Sequence, residues 1–350
     1  MKLSFYITRR YSIVRPFIYK KGSITSTSIR IFFLLLLQIL CLGLNKSFSA
    51  LTVIGSCTLA SFVVYAYRFA LKREHIYDVF GYIIQGIFTG MLLPDTYPPV
   101  VAAFVTFLVV WGIKTVAVNS ANIWVNSVAF SVVIAWFIGK EFFPDFLITS
   151  EMLELNNPSL TLIQNGTLPV MRVDSKITGF LNNTLFRLLH VSVPEGYISF
   201  LWDSRSLIPA FRFNVLTVFS SILLFADDSI DYLIPSIFLF VYAVLVRLFI
   251  PMFFGGAFNS GDIILALFSS GTLFTALFML QWFNTVPSTT SGKIFYAVIC
   301  GIVAFVLVGA GTSPVGMVYT ILIGNLLSVV IKTIETKKEI YSFKTAGAAQ

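Results

Sequence analysis

The sequence has few charged residues, few cysteines and few histidines. Only 11% of its 350 residues are charged, whereas soluble domains carry about a quarter, so a water-soluble globule and a disordered chain are excluded. The three cysteines, Cys41, Cys57 and Cys300, lie inside apolar runs at spacings that match no metal motif. His75 and His190 lie in different regions without cysteine partners, and no phosphate-binding loop or Ser–His pair is present. We therefore expect neither a metal site nor a catalytic side chain.

Apolar residues make up 57% of the chain, and 36 of them are phenylalanines. A helix of about 20 apolar residues spans a bilayer, and 17 suffice. The sequence therefore predicts an all-α polytopic membrane protein. About ten transmembrane spans are expected, at residues 30–45, 48–67, 79–94, 99–116, 122–140, 213–226, 232–250, 262–282, 294–311 and 314–331.

Lysine and arginine are concentrated in connections that alternating spans place on one side. The N-terminal segment, the connection at 68–73 and the C-terminal tail hold most of them. The excess of basic residues on cytoplasmic loops places both termini in the cytoplasm and the 144–212 loop outside. Residues 1–29 are too polar and basic for a signal peptide, so the first span is interpreted as a retained anchor. The net charge of +8 then indicates a lipid bilayer as partner, and no nucleic acid.

The polar loop divides the chain into two sets of five spans. Residues 86–99 and 271–290 each contain a Gly- and Thr-bearing span, then a Pro-containing turn that leads into another span. Units of five spans enter from opposite sides, so we expect two inverted five-helix repeats with a site near the midplane. The predicted regions are a cytoplasmic basic segment (1–29), the first repeat (30–143), an extracytoplasmic loop (144–212), the second repeat (213–331) and a cytoplasmic tail (332–350).

Ionisable residues near the spans are candidates for an ion pathway, because buried charge is expensive. Asp78 and Asp262 each begin a span, where helix capping is the alternative role. Lys114 ends the fourth span and could instead extend its ammonium to the interface. Arg247 lies inside an apolar run, where it could meet a flavin phosphate, an acid such as Asp95 or Asp262, or the outer interface.

Several stretches carry a family resemblance. Residues 261–279, Gly-Asp-Ile-Ile-Leu-Ala-Leu-Phe-Ser-Ser-Gly-Thr-Leu-Phe-Thr-Ala-Leu-Phe-Met, resemble the RnfD protein of the Rnf electron-transport complex, which is homologous to the NqrB protein of the sodium-pumping NADH:quinone reductase. The Thr/Pro-rich turn at 285–293, which includes Thr289, and the Pro-ended span at 86–99 fit the same family. Asn126, in Asn-Ile-Trp-Val-Asn, is similar to the family's Asn-bearing stretch and joins the candidates for the ion pathway.

The resemblance implies a multi-pass subunit of the bacterial inner membrane, in a translocase that couples electron transport to Na⁺ or H⁺ movement. Other Rnf-type membrane and iron–sulfur subunits would be its partners. The family commonly carries FMN, joined through its phosphate to a Thr in a Ser-Gly-Ala-Thr pattern before the sixth span. Here Ser204, Arg205, Ser206 and Leu207 stand at those four positions. Leucine has no oxygen to esterify, so Ser206 is the nearest substitute and covalent attachment is doubtful.

Aromatic residues and arginines surround this pattern. Trp202 precedes it, and Arg212 follows among further aromatic residues. An isoalloxazine ring stacks on aromatic faces and a phosphate needs cations, so FMN or riboflavin held without a covalent bond stays open. An interfacial aromatic belt is the competing interpretation. Two further functions stay open, namely a small-solute channel or carrier without a redox role, and a scaffold subunit whose flavin site has decayed.

Overall fold

The computed structural model describes residues 24–116, 125–144, 157–168, 170–188, 190, 192–253, 258–282, 285–309 and 313–348. Within these ranges the chain forms fourteen α-helices and no β-strand. The helices are α1 Ile24–Leu44, α2 Phe48–Ala70, α3 Val79–Leu92, α4 Pro99–Val116, α5 Ser127–Ile138, α6 Pro158–Gln164, α7 Asp174–Leu181, α8 Tyr197–Trp202, α9 Asn214–Ala226, α10 Leu233–Phe253, α11 Ile263–Ser269, α12 Thr272–Phe278, α13 Thr290–Val308 and α14 Gly316–Ala348. Most of the predicted 1–29 segment and residues 122–124 of the fifth predicted span lie outside the described residues.

Six helices are long and apolar enough to cross a membrane. They are α1, α2, α4, α10, α13 and the first part of α14, Gly316–Lys338. Shorter apolar helices cover Ile76–Leu92, Ser127–Ile138 and Asn214–Ala226. The prediction of an all-α, multi-pass membrane protein is therefore confirmed.

Each of the ten predicted spans contains helix, but the eighth is broken. Residues 262–282 form the short helices α11 and α12, which are separated at Ser270 and Gly271. Gly271 has a φ of +65°, and a Cβ there would lie 2.0 Å from a ring carbon of Phe211. Only glycine combines this left-handed backbone with so close an approach. The last helix departs in the other direction, because α14 continues well past the predicted end at residue 331.

Two glycines bring α2 and α3 into backbone contact. A Cβ on Gly86 would lie 2.5 Å from Thr58 Cα, and one on Gly90 would lie 2.5 Å from Ile54 Cα. The two glycines are four residues apart on α3, which is the small-residue spacing that lets membrane helices approach closely. This packing fixes the hairpin of α2 and α3 in the first half of the chain.

The two halves share a pattern of helix packing. In the first half α2 packs against α4, and α4 packs against α5. In the second half α10 packs against α13, and α13 packs against α14. In both halves the second predicted span therefore contacts the fourth, and the fourth contacts the fifth. The opposite orientation of the halves and the predicted region boundaries stay predictions.

The connections between helices form two groups at opposite ends of the bundle, as alternating spans require. At one end, called the cap end, residues 157–202 pack over the connections. Three contacts join the connections there: Arg212 Nη1 to Ser47 Oγ (2.7 Å), Asp95 N to Leu207 O (2.9 Å) and Thr96 Oγ1 to Phe142 O (2.8 Å). At the other end, called the basic end, three ion pairs occur: Arg68–Glu74 (2.8 Å), Lys293–Asp231 (2.6 Å) and Arg30–Asp227.

Candidate functional site

The 203–212 turn holds the residues at the predicted flavin position, and its backbone is closed by internal hydrogen bonds. Buried Ser204 donates from Oγ to Phe211 O (2.7 Å) and from N to Arg212 O (3.2 Å). Arg205 takes a left-handed conformation, with φ of +51°, and donates from N to Asp203 Oδ1 (2.9 Å). The Ser204 hydroxyl is therefore committed to the fold, and Arg205 adopts a backbone shape that favours glycine.

Arg212 is paired with Asp203 through two hydrogen bonds. Its Nε lies 2.9 Å from Asp203 Oδ1 and its Nη2 lies 2.6 Å from Oδ2. Its remaining terminal nitrogen donates to Ser47 Oγ (2.7 Å), so the guanidinium fork is occupied by protein acceptors. This geometry joins the turn to the α1–α2 connection and leaves Arg212 poorly placed to bind a phosphate.

Ser206 and Leu207 differ in what they offer for attachment. Ser206 is half-buried, and its Oγ accepts a hydrogen bond from Ile208 N (3.2 Å). Leu207 stands at the position of the family's threonine, and its side chain is 43% exposed, while its carbonyl accepts from Asp95 N (2.9 Å). The position is accessible, but the leucine side chain has no oxygen atom. Exposed Trp202 ends α8 beside the turn.

The cavity beside the turn is small. It has a volume of about 10 Å³ and is lined by Ser204, Ser206, Phe200, Leu162 and Leu265, with three further residues. A water molecule needs roughly 10–15 Å³ of such space, so an isoalloxazine ring does not fit inside. With Leu207 at the threonine position and Arg212 paired, the residues present do not fit an ester-linked FMN.

Thr289 lies at the basic end, away from the 203–212 turn. It is the N-cap of α13 and accepts from Gly292 N (3.0 Å), while its hydroxyl donates to Glu335 Oε1 on α14 (2.5 Å). The structure therefore does not bring Thr289 together with Trp202 or the serines of the turn. Its side chain joins two helices, and its predicted cofactor role stays a prediction.

Asp78 and Asp262 both bind backbone amides at the starts of helices. Asp78 Oδ2 accepts from His75 N (2.8 Å) in the turn before α3. Asp262 is the N-cap of α11, with Oδ1 accepting from Leu265 N (3.0 Å) and Oδ2 from Ser159 N (2.8 Å). The capping alternative is the one that these contacts support, and Asp262 also ties residues 157–202 to the bundle.

Arg247 does not pair with either acid proposed for it. Its Nη1 donates to Gly261 O (2.9 Å), and its Nε donates to Asn259 Oδ1 (3.1 Å). The expected contact with Asp95 or Asp262 is therefore wrong. Arg247 is exposed at the cap end of α10, where it closes the connection that leads to α11.

Lys114 lies in a cluster at the basic end. Its Nζ is 4.8 Å from the centre of the Tyr82 ring, and its carbonyl accepts from Arg68 Nη1 (2.9 Å). Arg68 also pairs with Glu74, which accepts a hydrogen bond from Tyr82 Oη (2.7 Å). Burial acts to raise the pKa of Glu74, but the hydrogen bonds from Tyr82 and Arg68 outweigh it and hold this pKa below its usual value. The cluster fastens α2, α3 and α4 together.

Asn126 begins α5 in a fully buried position. Its Oδ1 accepts from Val128 N (3.0 Å), whereas its Nδ2 has no partner among the described residues. The Asn325 side chain on α14, oriented with its nitrogen toward Ile321 O, accepts from Asn126 N (2.8 Å). Helix capping and a buried, unpaired amide thus coexist at this candidate for the ion pathway.

Comparison with known proteins now identifies the family. A family model described as the NQR2, RnfD, RnfE family matches residues 12–341. The chain belongs to this family. One similar relative is the RnfD protein of Acetobacterium woodii, part of a Na(+)-translocating ferredoxin:NAD(+) oxidoreductase complex, which is 30% identical over 112 residues. That match spans 32% of this chain and 32% of the relative, so it covers about a third of each protein.

Sequence reasoning missed several polar residues that the fold of this family member brings together. Ser127 Oγ donates to Gln85 Oε1 (3.1 Å), beside the Asn126–Asn325 contact. Gln38 Nε2 donates to Thr217 Oγ1 (3.2 Å) between α1 and α9. The signal that could have found Gln38, Gln85 and Asn325 is an amide side chain inside an apolar run, because a buried polar group requires a partner.

Proposed function

We propose that this chain is a membrane subunit of an Rnf-type complex in the bacterial inner membrane, with both termini in the cytoplasm. The observation that carries the proposal is the family match over residues 12–341. The basic residues at one end of the bundle support the orientation. The Acetobacterium woodii relative is named as part of a multi-subunit complex, which supports a partnership with other membrane and iron–sulfur subunits.

The complex would couple electron transport to Na⁺ or H⁺ movement, and this chain would supply part of the membrane path. The buried amides Gln85, Asn126 and Asn325 support a polar route between the halves, because helix interiors in lipid are otherwise apolar. Electron carriers perform the redox chemistry in such assemblies, and the protein provides position and electrostatics. No side chain of this chain needs to react.

The 203–212 turn argues for a subunit without an ester-linked flavin. Leu207 lacks a hydroxyl, Ser204 is bonded to Phe211 O, and Arg212 is paired with Asp203. Any flavin held by this chain would therefore be bound without a covalent link.

Purification of the tagged chain from its own host membrane tests the proposal. We expect iron–sulfur subunits to co-purify, and loss of the chain to abolish redox-driven Na⁺ or H⁺ uptake by membrane vesicles. Denaturing electrophoresis under ultraviolet light should show no flavin fluorescence at the position of this chain. A chain that purifies alone, and whose loss leaves ion uptake unchanged, would contradict the proposal and favour a solute channel.

Variants at the turn test the cofactor statement separately. Leu207→Thr supplies the missing hydroxyl, and Leu207→Val is its control of similar shape without oxygen. A fluorescent band in the parent chain would refute the absence of an ester, and its loss in Ser206→Ala would assign the link to Ser206.

A further inference from the structure

A helix outside the predicted spans exposes an apolar stripe. Helix α7 continues through a π-helical turn, Asn182–Phe186, to residue 188, and residues 173–188 are called the cap helix. The stripe consists of Val173, Ile177, Phe180, Leu185 and Leu188, which are between 38% and 80% exposed. The steps between its members are three or four residues except across the π turn, where the wider turn accommodates a step of five.

The opposite flank of the cap helix is polar and fixed to the protein. Asp174 is fully buried and accepts from Gly196 N (2.8 Å) and Ser199 N (2.7 Å). Asn182 exchanges two hydrogen bonds with the Val193 backbone, each 2.9 Å long. Burial raises the pKa of Asp174, but these backbone amides and the Ser199 hydroxyl more than offset it and hold the pKa below its usual value. The helix is thus held with its polar side inward and its apolar side outward, the reverse of a helix on a soluble protein.

The charge on the cap helix has one sign. Arg172, Lys176 and Arg187 are exposed, while the single acid in this stretch, Asp174, is buried. At helical spacing Lys176 and Arg187 lie along the edge of the apolar stripe, on the side away from the polar anchor. An apolar stripe with a basic edge is the pattern of helices that lie in the headgroup region of a bilayer with anionic lipids.

The position of the cap helix agrees with that environment. Ser199, which binds Asp174, lies on α8, and α8 packs against α9, one of the apolar helices. The helix therefore lies at the cap end, beside the ends of the spanning helices. We propose that the cap helix rests on the outer bilayer surface, with its apolar stripe among the lipid chains and its basic edge on anionic headgroups. This proposal is independent of the redox function proposed above.

Depth-dependent quenching tests the proposal on the full-length protein in nanodiscs of phosphatidylcholine and phosphatidylglycerol. Single variants Phe180→Cys, on the stripe, and Ser175→Cys, an exposed polar position on the same helix, receive an environment-sensitive fluorophore. The parent chain, with Cys41, Cys57 and Cys300, gives the labelling background. We expect brominated lipid chains to quench the label at 180 several-fold more than the label at 175, and aqueous iodide to do the opposite.

Two further arms separate the sources of contact. Replacing phosphatidylglycerol with phosphatidylcholine, or introducing Lys176→Glu with Arg187→Glu, should reduce quenching at 180 by brominated lipid. Equal iodide quenching at 175 and 180 would overturn the proposal. Protection at 180 that appears only in the assembled complex, without quenching by brominated lipid, would also overturn it and assign the stripe to another protein of the complex.

Discussion

Gly86 on α3 contacts the backbone of α2, and its replacement tests the packing of that helix pair. In Gly86→Ala the new Cβ would lie 2.5 Å from Thr58 Cα and 2.7 Å from Cys57 O. Ordinary contacts of a Cβ begin near 3.4 Å, so the helices must separate by about 1 Å because backbone atoms cannot rotate away. Overpacking of this kind costs roughly 1–3 kcal/mol. Gly90→Ala should behave in the same way, because its Cβ would meet Ile54 Cα at 2.5 Å.

Gly55 provides a matched control on the partner helix. It lies in α2, and a Cβ there has no neighbour within 4 Å among the described residues. Gly55→Ala should be neutral or stabilising by about 0.5–1 kcal/mol, since alanine restricts the unfolded backbone. Unfolding of the purified variants in mixed micelles with increasing SDS, followed by tryptophan fluorescence, measures the difference. Equal stability of Gly86→Ala and the parent, or an equal loss in Gly55→Ala, would refute the role assigned to the glycine pair.

Three further predictions concern the ends of the bundle. The folded-state pKa of Glu74 is below its ordinary value of 4.5, so Glu74 contributes stability above that pH and the contribution is lost as pH falls through the folded-state pKa. Unfolding measured from pH 3 to pH 7 should therefore show a shallower acid-side slope in Glu74→Gln. Arg205→Gly should stabilise the protein by about 1 kcal/mol by relieving the left-handed backbone, whereas Arg205→Ala, which keeps a Cβ, should not. Asp262→Ala removes the acceptor for Leu265 N and Ser159 N, at a cost of about 1–2 kcal/mol, and should speed limited proteolysis of residues 157–202. Asp262→Asn, which keeps an oxygen acceptor, should lose less.

The helices of this protein could be predicted from composition, and the break in the eighth span could not. Hydrocarbon requires long apolar segments with internally satisfied backbones, so every predicted span contains helix. Residues on both sides of Gly271 have the same apolar character, and the interruption depends on the Phe211 ring, which lies sixty positions earlier in the chain. A contact between distant residues leaves no local pattern.

The candidate residues were predicted unevenly for the same reason. A carboxylate at a helix start is recognisable locally, and Asp78 and Asp262 do bind amides there. The partner of Arg247 was not recognisable, because it depends on how the 259–261 connection folds back on α10. The pairing of Arg212 with Asp203 is local in sequence, but it requires a turn whose shape is fixed by Ser47 and other residues.

The shape of the 203–212 turn and the ability to attach a cofactor depend on different atoms. Contacts that do not involve the side chain of residue 207 fix the backbone, including Ser204 to Phe211 O and Asp95 N to Leu207 O. Arg205 adopts the left-handed conformation within this framework although it carries a Cβ. Ester formation, by contrast, requires one oxygen atom at an exposed position. Leu207→Thr with Arg205→Gly would therefore leave the fold intact while restoring two of the residues of the family pattern. Flavin fluorescence in that double variant, absent from both single variants, would show that backbone strain and the missing hydroxyl each block attachment. Fluorescence in Leu207→Thr alone would show that the missing hydroxyl is the sole obstacle.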